Sequence, residues 1–183
     1  MTAEKLEVQQ KIPVGITITV NGYSVTAKGP QGEVTKVLPH KMIKIAAADG
    51  MLTLFCASAT KREVKMVYTF NAHLKNMIAG VQNGHRYKLK VCSGHFPMSV
   101  SLSGDTLSVK NFLGEKIPRT LRIKKGAQVK VEGNDISVES PDKELAGQVA
   151  ADIEQLTRVT NRDNRIFQDG IYITNKSGKI LSS

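Results

Sequence analysis

The chain repeats itself. GITITVNGYSVTAKGPQGE at residues 15–33 returns 82 positions later as PMSVSLSGDTLSVKNFLGE at residues 97–115. Gly22 then falls on Gly104, Lys28 on Lys110, Gly32 on Gly114 and Glu33 on Glu115, while Ile16, Ile18, Val20 and Val25 meet Met98, Val100, Leu102 and Leu107. Most other residues differ, so what repeats is glycine placement and apolar phase, which together specify a backbone. The period exceeds that of solenoid repeats, and 183 residues suffice for two small modules. We therefore expect a duplication, with modules over residues 1–82 and 83–183.

Each module begins as antiparallel sheet. Ile16–Val20 and Tyr23–Ala27 alternate apolar with polar residues around Asn21-Gly22, a dipeptide that tolerates the positive φ angles of a type I′ turn. Met98–Leu102, Ser103-Gly104 and Thr106–Val109 repeat that hairpin. Further strands are expected over 34–38, 41–46 and 51–55, and over 119–123, 128–131 and 136–138, with Asp49-Gly50 and Gly133-Asn134-Asp135 as turns. The seam lies at 83–96, where HRYKLKV opens the second half as a strand.

A helical period follows in each copy. Thr60-Lys-Arg-Glu63 has the form of a capping box, and Val64, Val67, Asn71, Leu74, Ile78 and Val81 continue at spacings of three and four, to a stop near Gly80–Gly84. In the second copy Ser140 is the expected N-cap with Pro141 at the first helical position, and Leu145, Val149, Ile153 and Leu156 form the stripe. The fold class is thus α+β: two tandem duplicated modules, each an antiparallel sheet packed against one helix.

Net charge of +10 and a pI near 9.7, without long basic runs, indicate a polyanionic partner met by folded sequence. The charge is uneven. Arg86–Lys130 carries ten basic residues against Asp105 and Glu115, whereas Asp142–Glu154 carries four acidic residues against Lys143. Behind that acidic helix comes TRVTNRDNRIFQDGIYITNKSGK, where Arg158, Arg162 and Arg165 alternate with Thr160, Asn161, Asn164 and Gln168. Arginine forks grip phosphates, and amides bond phosphate, ribose or base edges. An exposed aromatic can stack on an unpaired base, but single apolar residues in strands are usually buried, so Phe167 and Tyr172 are expected to lie in a core strand with Ile166, Ile171 and Ile173.

Other chemistry is weakly supported. Cys92-Ser-Gly-His95 has metal-like spacing, but Cys56, His40, His73 and His85 supply no second pair, so no metal or cofactor is expected. Both cysteines read as core residues of a reduced, cytoplasmic protein, and the opening MTAEKLEVQQ has no apolar signal region. No glycine cluster has nucleotide-loop spacing. Ser93, His95 and Asp105 make no recognisable triad.

NFLGEK at 111–116, VEGNDISVES at 131–140 and RDNRIFQDGIYI at 162–173, within a duplicated sheet-helix chain of this length, closely resemble large-subunit ribosomal protein six in its archaeal and eukaryotic form. Short tails without lysine-rich extensions resemble the archaeal type. The resemblance implies a non-catalytic constituent of the large ribosomal subunit in the cytoplasm. It would bind large-subunit rRNA mainly through its second module, near the base of the factor-binding stalk and among neighbouring ribosomal proteins, with no membrane and no small-molecule substrate. Carried onto this sequence, the candidate contacts are Lys110, Asn111 and Lys116, then Arg158, Asn161, Arg162, Arg165 and Gln168, with Lys124 and Lys125 as phosphate neighbours. In the first copy Gly29-Pro30 replaces Asn111-Phe112, so no contact is transferred there. The alternatives are a duplicated protein-interaction module or an enzyme of unknown type. A protein-interaction module would show little salt dependence where several phosphate contacts imply a steep one, and an enzyme would show a cleft with strongly perturbed ionisable groups rather than an exposed basic face.

Overall fold

The computed structural model describes residues 4–48 and 50–181, so Asp49 of the expected Asp49-Gly50 turn lies outside the described residues. The chain divides into two compact units, Met1–Gly84 and His85–Ser183. In the first, β1 (Glu4–Lys11), β2 (Thr17–Asn21), β3 (Ser24–Gly29), β4 (Gly32–Val37), β5 (Ile43–Ala48) and β6 (Met51–Ala59) precede α1 (Lys61–Asn83). The strands make two antiparallel sheets, ordered β2-β3-β4 and β1-β6-β5. The expected single sheet is therefore split. Pro39 lies in the β4–β5 connection, where it cannot donate to a ladder, and the chain passes there to the second sheet.

Both sheets share one core with α1. Val25, Ala27, Leu52, Leu54 and Cys56 meet Val67, Phe70, Leu74 and Val81 there. The capping box forms as its sequence requires: the Thr60 hydroxyl accepts from the Arg62 N–H, and the Glu63 carboxylate accepts from the Thr60 N–H. Gly84 ends the helix at φ 73, a left-handed angle open to glycine.

The second unit repeats this order with β7 (His85–Cys92), β8 (Ser99–Ser103), β9 (Thr106–Lys110), β10 (Arg119–Arg122), β11 (Gln128–Glu132), β12 (Asp135–Ser140) and α2 (Lys143–Leu156). Thr17 and Ser99, Ser24 and Thr106, and Lys61 and Lys143 open equivalent elements, so the 82-residue offset persists from hairpin to helix. Its buried stripe is Ala146, Val149, Ala150 and Ile153, with Leu145 and Leu156 only partly covered. The cap differs from expectation. Asp142, not Ser140, accepts from the Glu144 N–H at 2.9 Å; Ser140 is still in β12, its hydroxyl donating to Gly126 O and accepting from the Asp142 N–H.

Among the described residues, what the first unit lacks is the continuation. After α2 the chain returns as β13 (Gly170–Lys176) and β14 (Lys179–Ile180), and β13 pairs antiparallel with β7, giving a five-stranded sheet β11-β12-β7-β13-β14. In the first unit the corresponding strand, β1, has β6 as its only neighbour among the described residues.

Candidate nucleic-acid interface

Three stretches of the second unit converge: the turn 94–97 after β7, the loop 110–119 between β9 and β10, and the segment 156–172 after α2. Asp169, 3 % exposed, accepts from the Gly94 N–H at 2.6 Å, the His95 N–H at 2.9 Å and His95 Nδ1–H at 2.6 Å. It pins the turn to the start of β13. Burial works against ionisation of Asp169, but the donors of His95 and Gly94 outweigh it and hold the carboxyl below its ordinary 3.8. Asn111 Nδ2 donates to Pro97 O at 2.9 Å, pinning the loop to the same turn.

Arg119 ties the loop to the third stretch. Its Nε and Nη2 bind Glu115 at 2.8 and 2.6 Å, and Nη1 donates to Leu156 O at 2.8 Å, satisfying a carbonyl at the end of α2. The guanidinium also stands 4.3 Å from the Phe112 ring centroid. The Arg119 fork, followed by the charge of Arg162, holds Glu115 below the usual carboxylate range against the effect of burial. Arg119 belongs to the basic window of the sequence, yet its donors are committed inside the protein.

The candidate contacts distribute unevenly over this frame. Lys110 closes β9, Lys116 lies in the loop, and both are exposed. Asn111, at φ 60, commits its amide nitrogen to Pro97. Arg158, Asn161, Arg162, Arg165 and Gln168 are all exposed on 158–168. Among the described residues Arg158 and Arg162 make no ion pair; Arg165, 90 % exposed, forks onto Asp163 and lowers that carboxyl. A pair so open to water is weak and exchanges readily for phosphate. Arg162 lies 4.8 Å from the Phe167 ring centroid, and Phe167 meets the His95 ring at 4.8 Å with a 31° tilt.

Lys124 is not drawn into this cluster, and Lys125 beside it is exposed. They follow β10, and Lys124 Nζ binds Asp152 of α2 at 2.8 Å, so it is turned toward the acidic helix.

The expected burial of the aromatics fails for a geometric reason: β13 starts only at Gly170, leaving Ile166 in a turn and 62 % exposed, while Phe167 is half-buried. Tyr172, 42 % exposed, occupies an outward position of β13 opposite Lys90, whereas Ile171 beside it is buried. Cys92 is likewise only partly buried. Sequence reasoning weighed His95 with Asp105 and missed its partner Asp169. The aspartate stands in the distinctive FQDG segment, but 74 residues separate the pair and only the β7–β13 pairing brings them together.

Asp169→Asn places an amide donor among three N–H donors, and is expected to destabilise the protein by about 2 kcal/mol in urea unfolding at neutral pH. The depressed folded-state pKa fixes the sign: this contribution is complete above 3.8 and is lost as pH falls through the folded-state value. The gap between wild type and variant should therefore narrow below pH 3.8. A gap unchanged in acid would show that the charge of Asp169 is not what holds the turn.

Comparison with known proteins agrees with the duplication. A family model described as "Ribosomal protein L6" matches the chain twice, at residues 12–84 and 96–170. A curated relative from Methanococcus vannielii, "Large ribosomal subunit protein uL6", is 42 % identical over 171 residues, covering 93 % of this chain and 94 % of the relative.

Proposed function

The chain belongs to the ribosomal protein L6 family, a structural and non-enzymatic one, and on that premise we propose that it serves in the large ribosomal subunit by gripping large-subunit rRNA with its second unit. The observation that carries this reading is the convergence of three pinned segments around a rim of Lys110, Lys116, Arg158, Arg162 and Arg165. Side chains on loops lose entropy on binding, and a frame already fixed by Asp169, Asn111 and Arg119 reduces that loss.

The duplicate explains why one unit suffices. At the place of Asn111-Phe112, the first unit has Gly29-Pro30. Its Gln31 N–H donates to Val81 O at 3.0 Å, and a Cβ on Gly29 would stand 2.7 Å from that oxygen. The hairpin thus closes tightly on the end of α1, and among the described residues nothing in the first unit corresponds to the segment after α2. The first unit is then free to serve as a spacer or protein contact. The finer placement we propose, near the base of the factor-binding stalk and among its neighbouring proteins, follows family likeness.

The test is sedimentation of extracts from cells carrying a tagged copy of the chain. The protein should travel with the large subunit and stay with it through a moderate-salt wash. Recovery at the top of the gradient, apart from subunits, would contradict the proposal.

A further inference from the structure

A cleft of about 680 Å³ opens beside this rim, lined in part by Cys92, His95, Ile166, Gln168, Asp169 and Tyr172. We propose that it seats one unstacked nucleobase of the bound RNA, laid against Tyr172 and Ile166, while Arg162 and Arg165 hold the neighbouring phosphates. This rests on the reading that the second unit binds RNA.

Four observations converge on a base as the occupant. Ile166 and Tyr172 are large apolar side chains left exposed together at the cleft, which marks a contact surface. The Tyr172 ring lies over Gly170: a Cβ there would stand 3.3 Å from its Cζ, so the missing side chain makes room for the ring beside the cleft. The wall is aromatic and leads outward to charge, since His95 stacks on Phe167 and Phe167 carries Arg162. Gln168 Nε2 donates to Arg165 O at 3.3 Å, which leaves the amide oxygen as an acceptor for an exocyclic amine.

The charges separate base from phosphate. Asp169 is kept ionised on the cleft lining, and Tyr172 is pushed up, by burial first and then by acidic neighbours that include the Asp169 and Glu154 carboxylates. An anion would be repelled inside the cleft and attracted at its rim. A neutral flat ring between stacking surfaces, with its phosphates outside, satisfies both conditions. The volume falls within the roughly 300–1,000 Å³ of ligand-sized pockets.

Binding of the full chain to two oligoribonucleotides of equal charge tests this: hexa-adenylate, and the same hexamer with abasic riboses. Isothermal titration calorimetry reads both strands against wild type and variants alike, because it does not depend on the tyrosine that the test removes. Hexa-adenylate should bind about tenfold more tightly than the abasic strand. Tyr172→Ala should abolish that preference without changing abasic binding, and Ile166→Ala should reduce it. Equal binding of both strands by wild type, or a preference that survives Tyr172→Ala, would overturn the base seat. The reading beneath it fails separately. Reversal of Arg162 and Arg165 should weaken both strands alike, and if it weakens neither, the RNA grip itself is wrong.

Discussion

Reversing Arg162 and Arg165 together to glutamate is expected to weaken binding to large-subunit rRNA by at least about a hundredfold near 0.1 M salt. Each phosphate contact releases counterions worth about one power of ten at that concentration, so two lost contacts approach a hundredfold and two new negative charges add repulsion. The slope of log K against log salt should flatten by roughly two. The fold should survive, because both side chains are exposed and the only ion pair either makes among the described residues is the Arg165–Asp163 fork. Neutralising Lys28, the counterpart of Lys110 in the first unit, should change binding less than about twofold. Equal losses from the two changes would show that both units grip RNA.

Phe112→Ala is expected to have the largest effect on stability, about 4 kcal/mol in urea unfolding. The ring is 1 % exposed and packs in the second unit's core under the Arg119 guanidinium. It also anchors a loop whose backbone is unfavourable by itself: Asn111 at φ 60 and Leu113 at φ 48 are left-handed, and Gly114 follows at φ 80. Left-handed non-glycine residues are strained by about 1 kcal/mol or more each, and persist only where packing fixes them. Without the ring the loop should relax, and Lys110 and Lys116 should lose their fixed placement. Phe112→Leu, which retains most of the apolar volume, should cost about 1.5 kcal/mol. A Phe112→Ala penalty below about 1 kcal/mol would mean the loop is held in some other way.

The parts of the fold visible in the sequence are those specified locally. The Asn21-Gly22 turn, the Thr60 capping box and the period-two runs of β3 and β9 each carry their structural instruction within a few residues. The repeat then placed the second copy on the pattern of the first. Long-range pairing was hidden. β1 alternates Leu6 and Val8 with polar residues but is only half-covered, so its apolar signal is faint. The division into two sheets depends on which strand finds β6, and short-range periodicity holds no record of that.

The site shows the same limit. Arg158, Arg162 and Arg165 were readable as a cluster because they are close in sequence. Arg119 was counted as free charge, and its commitment to Glu115 and Leu156 O is apparent only once α2 lies beside the loop. Lys124 looked equivalent to Lys125 until Asp152 took it. His95 and Asp169 are joined by a strand added at the edge of β7, after the repeat has ended.

Ultraviolet crosslinking of intact large subunits, with mass spectrometry of the chain's peptides, tests the central claim most directly. Nucleotide adducts should fall on peptides spanning 110–116 and 158–172. Adducts confined to peptides of Met1–Gly84, with the second unit unmodified, would contradict it.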